Sequence, residues 1–455
     1  MSLPSTFFNM KWLKDLNLSG CSKLLENLVF GKSVEEVGLS GTTTGLMPSN
    51  ALFQTLKNLA LGGFKPRSPN CMGLLSTSLS SFCSLTGLNL SYCNLNAIPN
   101  DICCLFSLKD LCLSGNNFSC LPESIAQLSI LECLEVSNCT SLRSWPKLPL
   151  NIVYISGVGC TSLETLPDLL QPNSLFGEGL FLTNCSKLAE NQGFVDMFFA
   201  MIINSLWHPL FLSSIHDIVF PGSEIPKWFR HQSIGDEVSI PYSLLCNECL
   251  GIAICVVFCS HSHHQILEDN SLYCCLIVNG KQINSTPGIT SIVPLSDHIW
   301  LLYLLPQFYQ YEDIKSLWEC NANGFSQLGI KILSKCWNLK TNEIIPSMVK
   351  VKKCGLRMVY KKDIEDLNET LAERSNNSIT PYEGLDVPHH NFDNSIAAES
   401  YTAKLTRDDY EGAGSSNYEP HPKRIERLID FMAQGNSNCE ESSEYKECAE
   451  VLGDW

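Results

Sequence analysis

Leucine and similar apolar residues recur through the first 190 residues with a spacing that predicts one short strand in each copy of a repeat. The pattern L-x-x-L-x-L-x-x-(C/N)-x-x-L fits residues 13–24 without a gap, and copies starting at Leu85, Leu108 and Leu131 keep one register. Weaker copies start at Val34, Leu56 and Ile152, and a partial copy surrounds Leu180. The Cys or Asn position falls at residues 21, 42, 64, 93, 116, 139, 160 and 185, with one insertion at residues 65–78. A period of 21 to 29 residues predicts a stacked repeat array.

This period is that of a leucine-rich repeat. A single repeat cannot cover its own apolar residues, so neighbouring repeats must stack into a curved solenoid. Pro99 and Pro122 fix the backbone between strands, which predicts a short convex turn or helix in those repeats. We therefore expect an α/β leucine-rich-repeat solenoid of about seven to eight repeats over residues 1–190.

The polar residues between the leucines are expected to point outward on the concave face. In three adjacent repeats they would form one mixed-charge patch with a tyrosine, either merely solvated or in contact with a ligand. The candidate ligand-contact residues are Asn89, Tyr92, Lys109, Asp110, Glu132, Glu135 and Asn138.

From about Asp217 the pattern changes to short runs rich in β-branched and aromatic residues, separated by Pro, Gly, Asn and Ser. Seven strands are predicted at Ile218–Phe220, Glu237–Ile240, Leu250–Phe258, Leu272–Val278, His298–Leu305, Leu328–Leu333 and Arg357–Tyr360. This number of short strands predicts an all-β antiparallel sandwich over residues 217–365.

Residues 191–216 are expected to form a connecting helix or cap. The segment Phe194–Leu212 is almost long enough to span a bilayer. Asp196, His208 and Pro209 favour a buried helix over a membrane helix.

Charge and cysteine content narrow the function classes. The formal net charge is −16, and residues 361–455 hold 9 Lys and Arg against 21 Asp and Glu, so the first 360 residues carry only −4. No nucleic-acid footprint is expected on a nearly neutral folded part. Residues 366–455 are acidic and polar, which predicts a mostly disordered tail. The 23 cysteines lack a disulfide framework and are expected to be reduced and mostly buried.

The sequence signals for metal binding, nucleotide binding and catalysis are weak. His261, His263 and His264 lie near several cysteines, but no paired C-x-x-C spacing predicts a zinc site, and a polar loop is the simpler interpretation. Gly31-Lys32-Ser33 resembles part of a phosphate loop, but Glu26 replaces its first glycine. No nucleophile elbow supports catalysis. We expect no enzyme activity, no metal and no cofactor.

Several strings resemble a known receptor family. LKDLNLSGCSKL, LTGLNLSYCNL and CTSLETLP resemble repeats of plant TIR-type nucleotide-binding leucine-rich-repeat disease resistance proteins. VFPGSEIPKWFRHQSIGDEVSIPY, at 219–242, resembles the opening motif of their post-repeat domain, the C-terminal jelly-roll and immunoglobulin-like domain (C-JID). GIAICVVF, SDHIWLLYL and VKKCGLRMVY resemble later strands of that domain. The motif residues are Pro221, Gly222, Glu224, Ile225, Pro226, Trp228 and Phe229, which either fill the core or contact a partner.

The resemblance implies the sensing part of an intracellular plant innate immune receptor. Such a part would bind a pathogen effector or host protein and act with the signalling domains of a related receptor. Those receptors carry a TIR domain and a nucleotide-binding domain that do not precede Met1, so we expect a fragment, a truncated product or a chain that acts in trans. A truncated adaptor or decoy that competes with a full-length receptor is the alternative. The expected location is the cytoplasm, with the nucleus also compatible.

Overall fold

The computed structural model describes most of the first 377 residues. The described ranges are 12–21, 33–42, 55–63, 79, 82–167, 179–188, 193–207, 215–241, 249–260, 268–278, 281–282, 287–290, 294–305, 327–338, 341, 343–345 and 347–377. The predicted insertion, the three loop histidines, Gly31, Lys32 and nearly all of the predicted tail lie outside these ranges.

The repeats form a parallel sheet of short strands, one strand in each repeat. The strands of the array are β1 Asp15–Asn17, β2 Glu36–Gly38, β3 Asn58–Ala60, β4 Gly87–Asn89, β5 Asp110–Cys112, β6 Cys133–Glu135, β7 Tyr154–Ser156 and β8 Gly179–Phe181. Their central residues pair in order as Leu16, Val37, Leu59, Leu88, Leu111, Leu134, Ile155 and Leu180. All eight central residues are buried. The repeat register predicted from the leucine pattern is therefore confirmed.

Short 3-10 helices connect two of the repeats on the side away from the strands. They span Asn100–Cys104 and Glu123–Gln127, and each follows a proline, Pro99 or Pro122, in an extended conformation. Proline suits this position because its missing N–H would lie outside the helix ladder. The described part of the array contains these 3-10 turns and no α-helix, so the helical half of the α/β expectation is not shown there.

Buried Cys or Asn side chains link successive repeats at the end of each strand. The Cys93 thiol donates to Leu61 O, and the Cys139, Cys160 and Cys185 thiols donate to carbonyls of preceding repeats at 3.0–3.3 Å. Asn116 does more, because its amide donates to Leu90 O and Leu113 O and accepts from Leu95 N. These side chains satisfy backbone groups that the turn would otherwise leave unpaired.

The array does not end at a linker. Its last parallel neighbour is β9 Ile215–Pro221, where Leu180 pairs with Ile218. On its other side β9 pairs antiparallel with β16 His298–Leu304. The sheet continues through β12 Cys249–Ser260 and β19 Val349–Tyr360 to β10 His231–Ile234. The repeats and the antiparallel strands therefore form one continuous 13-stranded sheet among the described residues.

A second antiparallel sheet faces the far end of the first. Its strands are β11 Glu237–Pro241, β13 Glu268–Val278, β14 Lys281–Gln282, β15 Gly288–Ile289, β17 Gln327–Asn338 and β18 Glu343–Ile345. Alternate residues of both sheets, such as Trp300 and Ile254 on one and Leu276 and Ile330 on the other, share one hydrophobic core. All seven strands predicted after Asp217 are present, and most are longer than predicted.

Two α-helices complete the described structure. α1 Phe194–Trp207 buries Phe194, Phe198 and Ile202, and the Phe194 ring stacks on Phe220 of β9 with centroids 4.5 Å apart. Among the described residues, no helix is both long and apolar enough to cross a membrane. α2 Lys361–Asn377 follows β19 directly, so helix extends 12 residues into the segment expected to be a disordered tail from residue 366.

Candidate recognition surface

The strands β1–β9 present two rows of outward residues, which we call the concave floor. The first row runs through Asp15, Glu36, Asn58, Gly87, Asp110, Cys133, Tyr154, Gly179 and Asp217. The second row runs through Asn17, Gly38, Ala60, Asn89, Cys112, Glu135, Ser156, Phe181 and Val219. Because side chains alternate along a strand, both rows lie opposite the buried leucines.

The seven predicted contact residues fall into three neighbouring groups. Asn89, Asp110 and Glu135 lie on the concave floor. Lys109 and Glu132 immediately precede their strands and form the entry rim, whereas Tyr92 and Asn138 lie in the turns that follow the strands. All seven are at least partly exposed.

Charged residues on the entry rim are paired with opposite charges, whereas the floor rows contain no basic residue. Lys14 and Lys57 both contact Glu35, at 3.1 and 2.7 Å, and Lys109 contacts Glu132 at 3.0 Å. These rim charges neutralise one another across neighbouring repeats. The floor rows contain only carboxylates among their charged residues, namely Asp15, Glu36, Asp110, Glu135 and Asp217. The formal charge of the floor is therefore entirely negative among the described residues.

Two of these carboxylates have raised pKa values. Loss of water at the concave face raises the pKa of Asp110, and the neighbouring Glu132 carboxylate adds to the effect. Burial raises the pKa of Asp217 to about 7, against a hydrogen bond from Trp300 that lowers it. The cause in both cases is desolvation of the anion. Ionisation of both groups is therefore disfavoured, because the negative charge is poorly compensated.

Asp217 closes the floor at the point where the second sheet begins to cover it. The next residues of the second row, Phe181 and Val219, already belong to or pack against the shared core. Asp217 Oδ2 accepts a hydrogen bond from Trp300 Nε1 at 3.3 Å. The Tyr154 and Phe181 rings lie beside it, 5.5 Å apart between centroids. The floor thus ends in a corner of two aromatic rings and one buried carboxylate.

Tyr92 has a backbone conformation that is unusual for its residue type. It has a φ of 54° at a turn position where most other repeats place a glycine, such as Gly115 at 67°. A tyrosine there costs roughly 1–2 kcal/mol relative to glycine. Its ring covers Gly115, its hydroxyl accepts a hydrogen bond from Asn138 Nδ2 at 3.3 Å, and the side chain is 59% exposed. The repeat scaffold therefore holds an exposed aromatic side chain in place at an energetic cost.

The motif after the repeats is largely built into the structure. Ile225 and Phe229 are buried against Gly355, and Gly222 packs so closely on Ile299 that an added Cβ would lie 2.7 Å from its Cδ1. Trp228 is half-buried, with its ring 5.0 Å from that of Phe199. These contacts favour the structural interpretation of these residues over partner contact.

A cationic clamp fixes Trp228 from the other side. The Arg357 guanidinium lies 4.4 Å from the Trp228 ring centroid and donates to Trp228 O at 2.6 Å. Arg357 also pairs with Asp363, whose other oxygen accepts from Tyr360 N at 2.9 Å. Glu224 of the motif forms an ion pair with Lys353 of β19, with 2.9 Å between the charged atoms. This clamp joins the motif, β19 and the start of α2.

A hydrogen-bonded joint connects the turns of the array to the second domain. Asn184 N donates to His298 Nε2 at 2.9 Å, and Asn184 Oδ1 accepts from Leu295 N at 2.7 Å. His298 Nδ1 lies 2.9 Å from Ser296 O. With one ring nitrogen accepting and the other donating, the neutral imidazole fits, and burial lowers the pKa of His298 accordingly.

Metal chemistry receives no support from the described residues, where no three His, Cys, Asp or Glu side chains come together as a metal site would need. Cys255 and Cys274 are buried, and burial raises the pKa of each thiol well above its usual range. Such thiols behave as small core residues. The predicted loop histidines lie outside the described ranges.

Three floor residues were missed from the sequence: Tyr154, Phe181 and Asp217. The weaker repeat copies around Ile155 and Leu180 already placed Tyr154 and Phe181 at outward positions, so the signal was present. Asp217 had no such signal, because only the pairing of β9 with β8 brings it onto the floor.

Together, the parallel repeat sheet and the antiparallel domain at its end define a leucine-rich-repeat scaffold with a second, all-β part. Comparison with known proteins narrows this class. Residues 220–365 match the model of the C-JID domain family. The chain is 32% identical over 297 residues to the disease resistance-like protein DSC1 of Arabidopsis thaliana, covering 60% of this chain and 24% of that protein.

A second plant relative supports the same assignment. The TMV resistance protein N of Nicotiana glutinosa is 33% identical over 285 residues, covering 56% of this chain and 23% of that protein. Among solved structures, the leucine-rich repeat domain of the type III effector XopL aligns with 20% identity and a TM-score of 0.30, over 41% of this chain and 66% of that one. The chain spans about a quarter of the length of the two plant relatives.

The chain therefore resembles the C-terminal part of plant TIR-type nucleotide-binding leucine-rich-repeat disease resistance proteins, with repeats followed by a C-JID domain.

Proposed function

We propose that this chain is the ligand-sensing part of an intracellular plant innate immune receptor. In this proposal it acts in the cytoplasm or nucleus, without catalysis, and binds a pathogen effector or host protein to trigger defence signalling. The relatives support a role in disease resistance. The continuous sheet supports the recognition role, because it sets the concave floor and the C-JID domain in one fixed arrangement.

We also propose that the C-JID part is a jelly-roll or immunoglobulin-like β-sandwich. Two antiparallel sheets with one shared core support this. The proposed organisation is a solenoid at 1–190, a connecting helix at 191–216, the sandwich at 217–365 and an acidic tail at 366–455. β9 belongs to both the array and the sandwich, so neither part ends at an independent edge.

The proposed contact surface combines the floor, the rim and Tyr92. Tight protein recognition needs a few anchored side chains within a polar surround. Tyr92 supplies an exposed aromatic anchor held by Asn138. Lys109, Glu132 and Asp110 supply a polar surround in the next two repeats. The second sheet provides a wall at the end of the same floor.

The test is capture of partners from infected plant tissue with the full chain and two matched triple variants. One variant carries Tyr92→Ala, Lys109→Ala and Glu135→Ala on the concave side. The control replaces another exposed aromatic, lysine and glutamate outside the floor, with Phe106→Ala, Lys147→Ala and Glu123→Ala.

We expect one captured protein to bind the wild type and the control variant but not the concave variant. Direct titration of the purified partner should then show at least tenfold weaker binding to the concave variant. Equal binding to both variants would contradict the concave surface as the contact site. Circular dichroism spectra of all three chains should agree, because every replaced residue is at least partly exposed.

A further inference from the structure

The floor between β5 and β9 has an unusual distribution of charge. Asp110, Glu135 and Asp217 are its only charged residues, and the basic residue nearest to it in sequence, Lys109, is engaged by Glu132 on the rim. Between the carboxylates lie Cys133, Tyr154 and Gly179, which carry no formal charge. The surface therefore has an anionic site at each end and an uncharged centre.

Besides the charge distribution, the environment of Asp217 also indicates a ligand site. Its side chain is only 6% exposed, and a buried carboxylate normally accepts two or more hydrogen bonds. Its Oδ2 has the 3.3 Å contact with Trp300, whereas its Oδ1 has no hydrogen-bond donor among the described residues. Oδ1 points back along the floor, since a Cβ added to Gly179 would lie 3.1 Å from it. A deeply placed carboxylate therefore faces the floor with one oxygen available to a ligand.

Aromatic rings beside this carboxylate favour a cation. Phe181 lies over Gly179, and Tyr154 lies 5.5 Å from Phe181 between ring centroids. Ring faces attract ammonium and guanidinium groups, most strongly where water is excluded. Burial raises the pKa of Tyr154, and the Glu135 and Asp217 carboxylates add to this effect.

We propose that this part of the floor receives an extended basic segment of the protein partner, with one Arg or Lys side chain at Asp110 and Glu135 and another at Asp217. This inference rests on the proposed function and specifies the chemistry of the partner. Charge complementarity selects this occupant: a nucleic acid or an acidic peptide would be repelled by all three carboxylates.

The spacing of the two anionic sites sets the length of the segment. Asp110 and Asp217 are separated by four strand steps, which at about 4.8 Å each place them roughly 19 Å apart. An extended chain advances about 3.3 Å per residue, so six residues cover about 20 Å. Two cationic side chains six positions apart, with small or apolar residues between them, fit this surface.

The probe is a fluorescent seven-residue peptide, Arg-Gly-Ser-Leu-Ser-Gly-Arg, acetylated and amidated at its ends. One control peptide replaces both arginines by citrulline, which keeps their shape and removes the charge. A second control moves the last arginine to the fourth position. Binding to the full chain is measured by fluorescence anisotropy at low ionic strength, where such contacts are least screened.

The protein variants separate the floor from the general acidity of the chain. Asp110→Asn with Asp217→Asn removes two floor charges. Asp101→Asn with Glu123→Gln removes the same number of exposed carboxylates from the 3-10 turns. We expect the seven-residue peptide to bind at least tenfold more weakly to the floor variant than to the control variant. It should also bind at least tenfold more tightly than either control peptide.

A pH series adds a readout specific to Asp217. Because the pKa of Asp217 is about 7, affinity for the peptide should rise between pH 6 and 8 as the carboxylate ionises. The same series should be flat with Asp217→Asn. Unchanged melting curves for this variant at low pH would show that its fold is retained.

Several results would overturn the inference. Equal affinity of the floor and control variants, equal binding of the citrulline peptide, or no binding to the wild type at millimolar concentration would each do so. If the peptide fails in this way while a captured partner still requires Tyr92, Lys109 and Glu135, the inference falls and the proposed function stands. If neither the peptide nor any captured protein depends on the concave side, both fall.

Discussion

Replacing Asp217 by asparagine should make the protein more stable at neutral and alkaline pH. The carboxylate is buried at the end of the floor and its pKa rises from 3.8 to about 7. Asparagine has nearly the same shape and keeps an oxygen that can accept the Trp300 hydrogen bond. The substitution therefore removes the buried charge and little else.

The direction of the change in stability with pH depends on whether the folded or the unfolded chain binds the Asp217 proton more tightly. The folded chain holds the Asp217 proton more tightly than the unfolded chain, so this group favours folding at low pH. That contribution is lost as the pH rises from about 4 through 7, because the folded chain must then bury an anion. A change in pKa of this size corresponds to roughly 4 kcal/mol at most. We expect Asp217→Asn to stabilise the chain by roughly 2–4 kcal/mol at pH 8 and by little near pH 4.

Equilibrium urea unfolding between pH 4 and 8, followed by circular dichroism, measures this difference. Other carboxylates titrate alike in both chains, so the difference between the two curves isolates Asp217. Asp101→Asn, in an exposed turn, serves as the control and should follow the wild type. A difference independent of pH, or a wild type that is the more stable chain at pH 8, would refute the buried-anion argument.

Two further pairs of substitutions test the array. Leu111→Arg should destabilise the repeats by several kcal/mol, since it places a charge among stacked leucines. Lys109→Ala should cost at most about 1 kcal/mol, because it removes only an exposed ion pair. Equal urea midpoints for these two variants would contradict the repeat register. The Tyr92→Gly variant should be about 1 kcal/mol more stable than the Tyr92→Ala variant, because both lack the ring and only glycine adopts a positive φ freely. An alanine variant of equal or greater stability in the same urea assay would show that the turn is unstrained.

The repeat register was predictable because each copy carries its own local signal. Apolar residues at Leu85, Leu88 and Leu90, and their counterparts in the next repeats, must all face one core, so a shift of one residue would expose them. The long strands after Asp217 were predictable for a similar reason. β12 and β16 are buried on both faces and appear in the sequence as nearly continuous apolar runs.

Other features were not predictable because they depend on contacts between distant segments. β14, β15 and β18 have only two or three residues each, too few for a sequence pattern. α2 begins at Lys361 in a charged segment, and its described buried residues include only two apolar side chains, Ile364 and Leu367. The sequence could not show that β9 joins the two parts of the sheet, and with it the burial of Asp217.

We propose that the floor and the C-JID domain form one recognition surface, because a single sheet joins them. Dividing the chain between α1 and β9 would not test this, because the division would separate β9 from its partner β8. The direct test is amide hydrogen exchange of the full chain with and without a partner captured from infected tissue. We predict slower exchange both in the floor strands from β4 to β8 and in the second sheet, with the 3-10 turns at residues 100–104 and 123–127 unchanged. Protection confined to the 3-10 turns, or to one of the two parts alone, would contradict it.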